Sequence, residues 1–198
     1  KMKGFGEQNK SSKKNNEKIK PSKEKIIKQA ISYHSQGNIS EAKKHYQYLI
    51  TQGLKDYRVY SNYGAVLQGL GKFKEAEIFT RKAIKIKPDF ANAHYNLANI
   101  LKNQGKLMEA ELSYRNAIKI KPDITGAYFS LSTLKYSDQK KEWRDKLFSE
   151  NFLNGKSKKD QVDIYFARGN ILHREKNYEN SSKLFQLAND IKFDLNPF

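Results

Sequence analysis

The chain has 198 residues, a formal net charge of +17, 30% charged and 37% hydrophobic residues, and no cysteine. Disulfides and thiolate metal sites are therefore excluded, and no run approaches the roughly 18 apolar residues of a membrane span. The lysine-rich start lacks a signal peptide's apolar core, so a cytoplasmic protein is expected, and the positive balance favours acidic partners, anionic membrane surfaces or nucleic acid without choosing among them.

Residues 1–22 are lysine, asparagine, serine and glycine with few apolar side chains. Such a segment cannot bury enough surface to offset its ordering entropy, so a disordered basic arm is expected. Nine lysines against Glu7, Glu17 and Glu24 give the first 25 residues a net charge of +6.

Beyond the arm the chain repeats itself. Residues 71–89 read GKFKEAEIFTRKAIKIKPD and residues 105–123 read GKLMEAELSYRNAIKIKPD, an offset of 34. The same offset relates Gly37, Gly71 and Gly105, and also Ala42, Ala76 and Ala110, each preceded by a glutamate. A glycine can take the left-handed conformation that ends a first helix. Small residues such as Gly64, Ala76, Ala98 and Ala110 let paired helices approach closely. Pro88 and Pro122 stop the second helix of each unit. Three helical pairs are thus predicted over residues 23–124.

The pattern then degrades. A first helix is predicted from Thr125 to Tyr136, broken by SDQKK; a second runs from about Glu142 to Leu153 around Trp143, Leu147, Phe148 and Phe152. Residues 125–160 therefore read as a degenerate fourth unit with an irregular helix and the polar linker NGKSKKD. Residues 161–195 read as a terminal helix pair, in which Gly169, Leu172, Phe185 and Ala188 keep the pattern. Lys176 stands where the turn glycine belongs, and Asn177 is expected to take the left-handed position instead. The chain ends at NPF with no evident polar capping helix, which suggests a fragment of something longer.

These motifs closely resemble the tetratricopeptide-repeat (TPR) family. His94, Leu97, Ala98, Gly105, Ala110, Tyr114, Ala117 and Pro122 occupy its signature positions. Tyr60, Tyr63, Gly64, Gly71, Ala76, Thr80, Ala83 and Pro88 do so one unit earlier, and Ile26, Gln29, Ala30, Gly37, Ala42, Tyr46 and Leu49 match more weakly before that. The resemblance implies an all-α, right-handed α-solenoid of TPR helix hairpins. It also implies that His94 fills a large core slot and that first helices line a concave groove.

By that resemblance the groove residues are Arg58, Ser61, Asn62, Ala65 and Gln68, then Asn92, Tyr95, Asn96, Asn99 and Lys102, then Gly126, Phe129, Ser130, Thr133 and Tyr136. Asn62 and Asn96 lie 34 residues apart and should stack. A ladder of amides offers donors and acceptors to an extended peptide backbone without reading its sequence. It is similar to the asparagine ladder of protein O-linked N-acetylglucosamine transferases, though short, with Lys28 and Ser130 on the neighbouring rungs. Arg58, Asn62 and Asn96 only partly imitate the carboxylate clamp of another TPR subclass.

The helix electrostatics are ordinary. Glu75, Glu77, Glu109 and Glu111 open second helices, and Arg81, Lys82, Lys85, Lys87, Arg115, Lys119 and Lys121 cluster at their ends, as the helix dipole prefers. His34, His45, His94 and His173 have no metal-binding spacing. No phosphate-binding loop or nucleophile elbow is present. No catalytic centre, cofactor or metal is expected in this chain.

A protein-interaction scaffold holding a protein or peptide segment in the groove is the first functional expectation, as a monomer or with weak self-association. The second comes from DIYFARGNILHREKNYENSSKLFQLANDIK and what precedes it, which resembles the TPR portion of bacterial TPR–sulfotransferase proteins, marine cyanobacterial ones in particular. That resemblance implies a following sulfotransferase domain using a sulfated adenosine cofactor, for which this region would recruit substrate. Electrostatic attachment of the basic arm to nucleic acid or membrane is the third; nucleic acid is disfavoured because no recognised binding motif is present.

Overall fold

The computed structural model describes residues 22–134 and 142–195. The basic arm through residue 21, the predicted helix end at Tyr136 with the SDQKK break, and the NPF terminus lie outside the described residues. The described residues form ten α-helices: α1 (Lys23–Ser35), α2 (Ile39–Thr51), α3 (Tyr57–Gly69), α4 (Phe73–Ile86), α5 (Ala91–Asn103), α6 (Leu107–Ile120), α7 (Thr125–Ser132), α8 (Glu142–Phe148), α9 (Lys158–Arg174) and α10 (Tyr178–Leu195). No strand occurs among the described residues. The architecture is an all-α solenoid of helical hairpins, pairing α1 with α2, α3 with α4, α5 with α6 and α9 with α10.

One turn closes every hairpin. Gly37, Gly71 and Gly105 sit at φ +76°, +73° and +76°. The following N–H reaches back five residues to a helix carbonyl, closing a six-residue turn: Asn38 to Tyr33, Lys72 to Leu67 and Lys106 to Leu101, each at 2.9 Å. These bonds satisfy carbonyls that the helix end leaves unpaired. The α9–α10 turn is the same, with Asn177 N–H on the Leu172 carbonyl at 2.9 Å, but its left-handed residue is Lys176 at φ +62°. The expectation for Asn177 is therefore corrected. The six-residue bond fixes which position must turn left, and Asn177 instead uses its side chain to accept from the Asn180 N–H at 3.4 Å, starting α10. The first unit, which lacks a closing proline, ends on the same device at Gly53, φ +73°.

Close helix approach depends on missing side chains at two points. A Cβ on Gly64 would lie 2.2 Å from the Thr80 hydroxyl oxygen, and one on Gly169 would lie 2.4 Å from the Phe185 ring. Around these contacts the core forms two continuous clusters. Ile27, Tyr46, Leu49, Val59, Tyr63 and Leu67 belong to the first; Leu97, Leu101, Tyr114, Tyr128, Trp143, Leu147 and Ile164 belong to the second.

The fourth unit departs from the rest. Its outer wall is the short α8 and a 3₁₀ turn at Glu150–Leu153, so the helix expected to run on to Leu153 stops at Phe148. Trp143 and Phe152 pack on Tyr128, with ring centroids 6.4 and 5.0 Å away. Arg168 of α9 donates to the carbonyls of Leu147 at 2.9 Å and Ser149 at 3.3 Å, satisfying the end of α8. α9 itself starts at Lys158, inside the expected linker. Ser157 caps it by accepting from the Asp160 N–H at 3.2 Å.

Candidate binding face on the first helices

The predicted groove residues from Arg58 to Ser130 sit on α3, α5 and α7, the first helices of successive units, and Thr133 caps the end of α7. Neighbouring first helices touch, α3 with α5 and α7 with α9. The Asn96 amide crosses one of these seams, donating to the Ser61 hydroxyl at 3.1 Å and the Ser61 carbonyl at 3.4 Å. Ser61 is 1% exposed, so it supports Asn96 from beneath and offers no ligand a direct contact.

What remains free is specific. Asn62 is half-buried and its side chain makes no hydrogen bond among the described residues. Asn96 spends its NH2 group on Ser61 and keeps its carbonyl oxygen. Asn99 accepts from the buried Tyr114 hydroxyl at 2.6 Å and keeps its NH2 group. Desolvation pushes the Tyr114 hydroxyl up to about 12, so it stays a proton donor and holds Asn99 in place. The row thus presents an amide, an acceptor and a donor.

The flanking residues are more committed. Arg58 forms a bidentate pair with Glu24 at 2.9 and 2.8 Å and bonds Asp56 at 2.8 and 3.2 Å. Those two carboxylates raise the guanidinium's pKa, so it is permanently charged and already neutralised. Burial alone would raise the Asp56 carboxyl; the Arg58 side chain and N–H hold it below the ordinary range. Arg58 is thus no open carboxylate clamp. Lys102 is likewise turned to the Thr133 hydroxyl at 3.1 Å, whereas Asn92 is exposed with no side-chain bond among the described residues.

Toward the far end the row turns aromatic. The Tyr95 ring lies 6.0 Å from Tyr114, and its hydroxyl sits where a Cβ on Gly126 would be only 2.8 Å away. Phe129 packs at 5.9 Å from Phe166, which packs at 6.2 Å from Phe185. Beside them Thr125 donates to Asp160 at 2.7 Å, leaving Asp163 at 3.4 Å. One hydroxyl proton cannot serve both. Asp160, bonded also by Ser157, is held low, while burial pushes the Asp163 carboxyl up.

Sequence reasoning placed His94 in the core. It is instead partly buried, with Nε2 bonded to the Pro88 carbonyl at 2.8 Å. One unit on, the Tyr128 hydroxyl makes the same bond to the Pro122 carbonyl at 3.0 Å. The slot is therefore a tether between a first helix and the proline that closes the preceding unit. Pairing of Arg58 with Glu24 was missed too, although both hold the second position of their units, 34 residues apart.

Comparison with known proteins defines the class. Tetratricopeptide-repeat family models match residues 57–90, 91–124 and 162–195, together just over half of the chain. The chain belongs to the tetratricopeptide-repeat family. Its fold is similar to that of a tetratricopeptide repeat protein from Parabacteroides merdae, at 19% identity and TM-score 0.62 over 87% of this chain and 68% of that one. An O-GlcNAc transferase from Thermobaculum terrenum is similar at 17% identity and TM-score 0.55, over 74% of this chain but 27% of that one. The first TPR of Spaghetti (RPAP3), solved bound to an HSP90 peptide, is similar at 20% identity and TM-score 0.53, over 57% of this chain and 89% of that one. No curated protein matches the chain. None of these comparisons carries the sulfotransferase resemblance.

Proposed function

We propose that this chain is a protein-interaction scaffold that holds an extended segment of a partner protein along the first helices. The observation that carries the reading is the unspent amide chemistry at Asn62, Asn96 and Asn99 on adjacent helices, with the Asn96 rung locked onto Ser61. An extended backbone alternates donors and acceptors, and this row answers with both. A preorganised row loses little entropy on binding, so its hydrogen bonds count toward affinity. Arg58, being neutralised, adds shape more than charge, and Tyr95 and Phe129 provide an aromatic wall for one apolar side chain. The fold is shared with a TPR solved on a peptide, which is consistent with this use.

The test is a peptide array probed with wild type and with Asn62→Ala/Asn96→Ala. Two lost hydrogen bonds at about 0.5–1.5 kcal/mol each predict a loss of roughly 5- to 150-fold for peptides the wild type selects. Equal binding by both proteins would remove the amide row from the mechanism.

A further inference from the structure

The second helices carry a feature the peptide reading leaves unused. On α4, Lys74, Ile78, Arg81 and Lys85 fall at i, i+4, i+7 and i+11, one helical face. On α6, Met108, Leu112, Arg115 and Lys119 repeat the arrangement one unit on. The aliphatic members stand out into solvent: Met108 is 78% exposed, Leu112 62% and Ile78 55%. Exposed apolar side chains grouped along neighbouring helices can form an interaction patch.

A cavity of about 640 Å³ lies between α4 and the α5–α6 turn and one of about 370 Å³ between α4, α5 and α6, with Arg81 lining both. Ion pairs cross them. Arg81 pairs with Glu77 at 2.8 Å and reaches across to Glu109 at 3.2 Å, and Lys106 reaches back to Glu77 at 3.0 Å. Exposed ion pairs thus bridge the furrow, Ile78 and Leu112 stand on its walls, and Met108 projects into solvent one turn before Leu112. A folded partner would need sockets shaped to such ridges. A lipid interface accepts them without any matching shape.

The charge around the ridges is one-sided. Glu77, Glu109 and Glu111 are each matched by an arginine or lysine, while Lys74, Lys85 and Lys119 have no ion-pair partner among the described residues. These lysines can lay their aliphatic stems along the apolar side chains and keep their ammonium groups at phosphate level. The net charge of +17 adds long-range attraction to an anionic leaflet. Among the described residues no helix is long and apolar enough to cross a bilayer, so contact of this kind is confined to the surface.

We infer that the α4–α6 ridge is a peripheral attachment surface for an anionic lipid bilayer. Ile78, Met108 and Leu112 enter the boundary between headgroups and acyl chains, and Lys74, Lys85 and Lys119 lie against lipid phosphates. The first helices, which carry the amide row, are not consumed by this contact.

The experiment is co-sedimentation of the full chain with vesicles of about 30% phosphatidylserine in phosphatidylcholine, and with phosphatidylcholine alone. Wild type should pellet with the anionic vesicles only. Ile78→Ser/Met108→Ser/Leu112→Ser should weaken that binding by about tenfold or more while its circular dichroism melt stays unchanged, since all three side chains are exposed. Because the chain has no cysteine, Met108→Cys carrying an environment-sensitive dye reports insertion directly, and a blue shift on anionic vesicles is expected. Three results would each overturn the proposal: no wild-type binding to anionic vesicles, as when an acidic protein is the true partner of the ridge; unchanged binding by the triple serine variant, which would assign attachment to the basic arm; or no blue shift.

Discussion

Lys176→Gly should make the α9–α10 hairpin more stable. Lys176 holds φ +62°, where the three equivalent turns use glycine at +73° to +76°. A left-handed conformation costs an L-residue about 1–2 kcal/mol because Cβ crowds the following carbonyl. Introducing glycine returns roughly 0.5–1 kcal/mol to the unfolded chain as extra freedom. The difference favours glycine by about 0.5–1 kcal/mol. Lys176 makes no side-chain bond among the described residues and is exposed, so no lost contact confuses the comparison. The direct assay is hydrogen exchange of α10 amides, where about 1 kcal/mol slows opening roughly fivefold. Lys176→Ala is the control: it removes the charge and keeps the Cβ, and should bring no gain. If alanine stabilised the hairpin as much as glycine, charge and not backbone strain would be the cause, and the reasoning would fail.

Other outcomes follow from the same contacts. Gly64→Ala adds helix propensity worth about 1 kcal/mol but sets a methyl 2.2 Å from the Thr80 hydroxyl oxygen, an overpacking of about 1–3 kcal/mol. A net loss of about 1 kcal/mol is expected by urea denaturation, with Gly64→Ala/Thr80→Ala recovering much of it; a stabilised single variant would show that the hairpin yields freely. The two carboxylates at the α7–α9 seam should have opposite pH signatures. Asp160 is held low, so its stabilisation is present above the ordinary carboxylate range and is lost as pH falls through its depressed value. Asp163 is raised by burial, so its favourable contribution is present below that range and is lost as pH rises through its elevated value. Asp163→Asn should therefore raise the melting temperature at neutral pH, and Asp160→Asn should lower it; thermal melts from pH 3 to 8 check both.

Much of the fold could be read in the residues because the turn chemistry repeats with the helices. Gly37, Gly71 and Gly105 mark their turns at one spacing, and Pro88 and Pro122 mark the ends of second helices. Where chemistry and spacing separate, reading by residue type goes wrong. At Lys176 the backbone bond from Asn177 to Leu172 demands a left-handed residue whatever its side chain, so position outranks propensity. The early start of α9 carried a signal that its lysines concealed: Ser157 and Asp160 form the S-x-x-D cap. The binding face is only half visible. The amide row can be found from the 34-residue offset of Asn62 and Asn96, but Ser61 could not be seen to lie beneath Asn96. Nor could the neutralisation of Arg58 be read, because its partner Glu24 belongs to the weakest unit.

The outer wall of the fourth unit is a short helix and a 3₁₀ turn, and its Leu147 and Ser149 carbonyls are satisfied by Arg168, a residue of the next hairpin. Elsewhere each hairpin pairs two full-length helices of its own. This one takes a side chain of the following hairpin to finish its short helix, so any shortening of the array that keeps α8 must keep α9 as well.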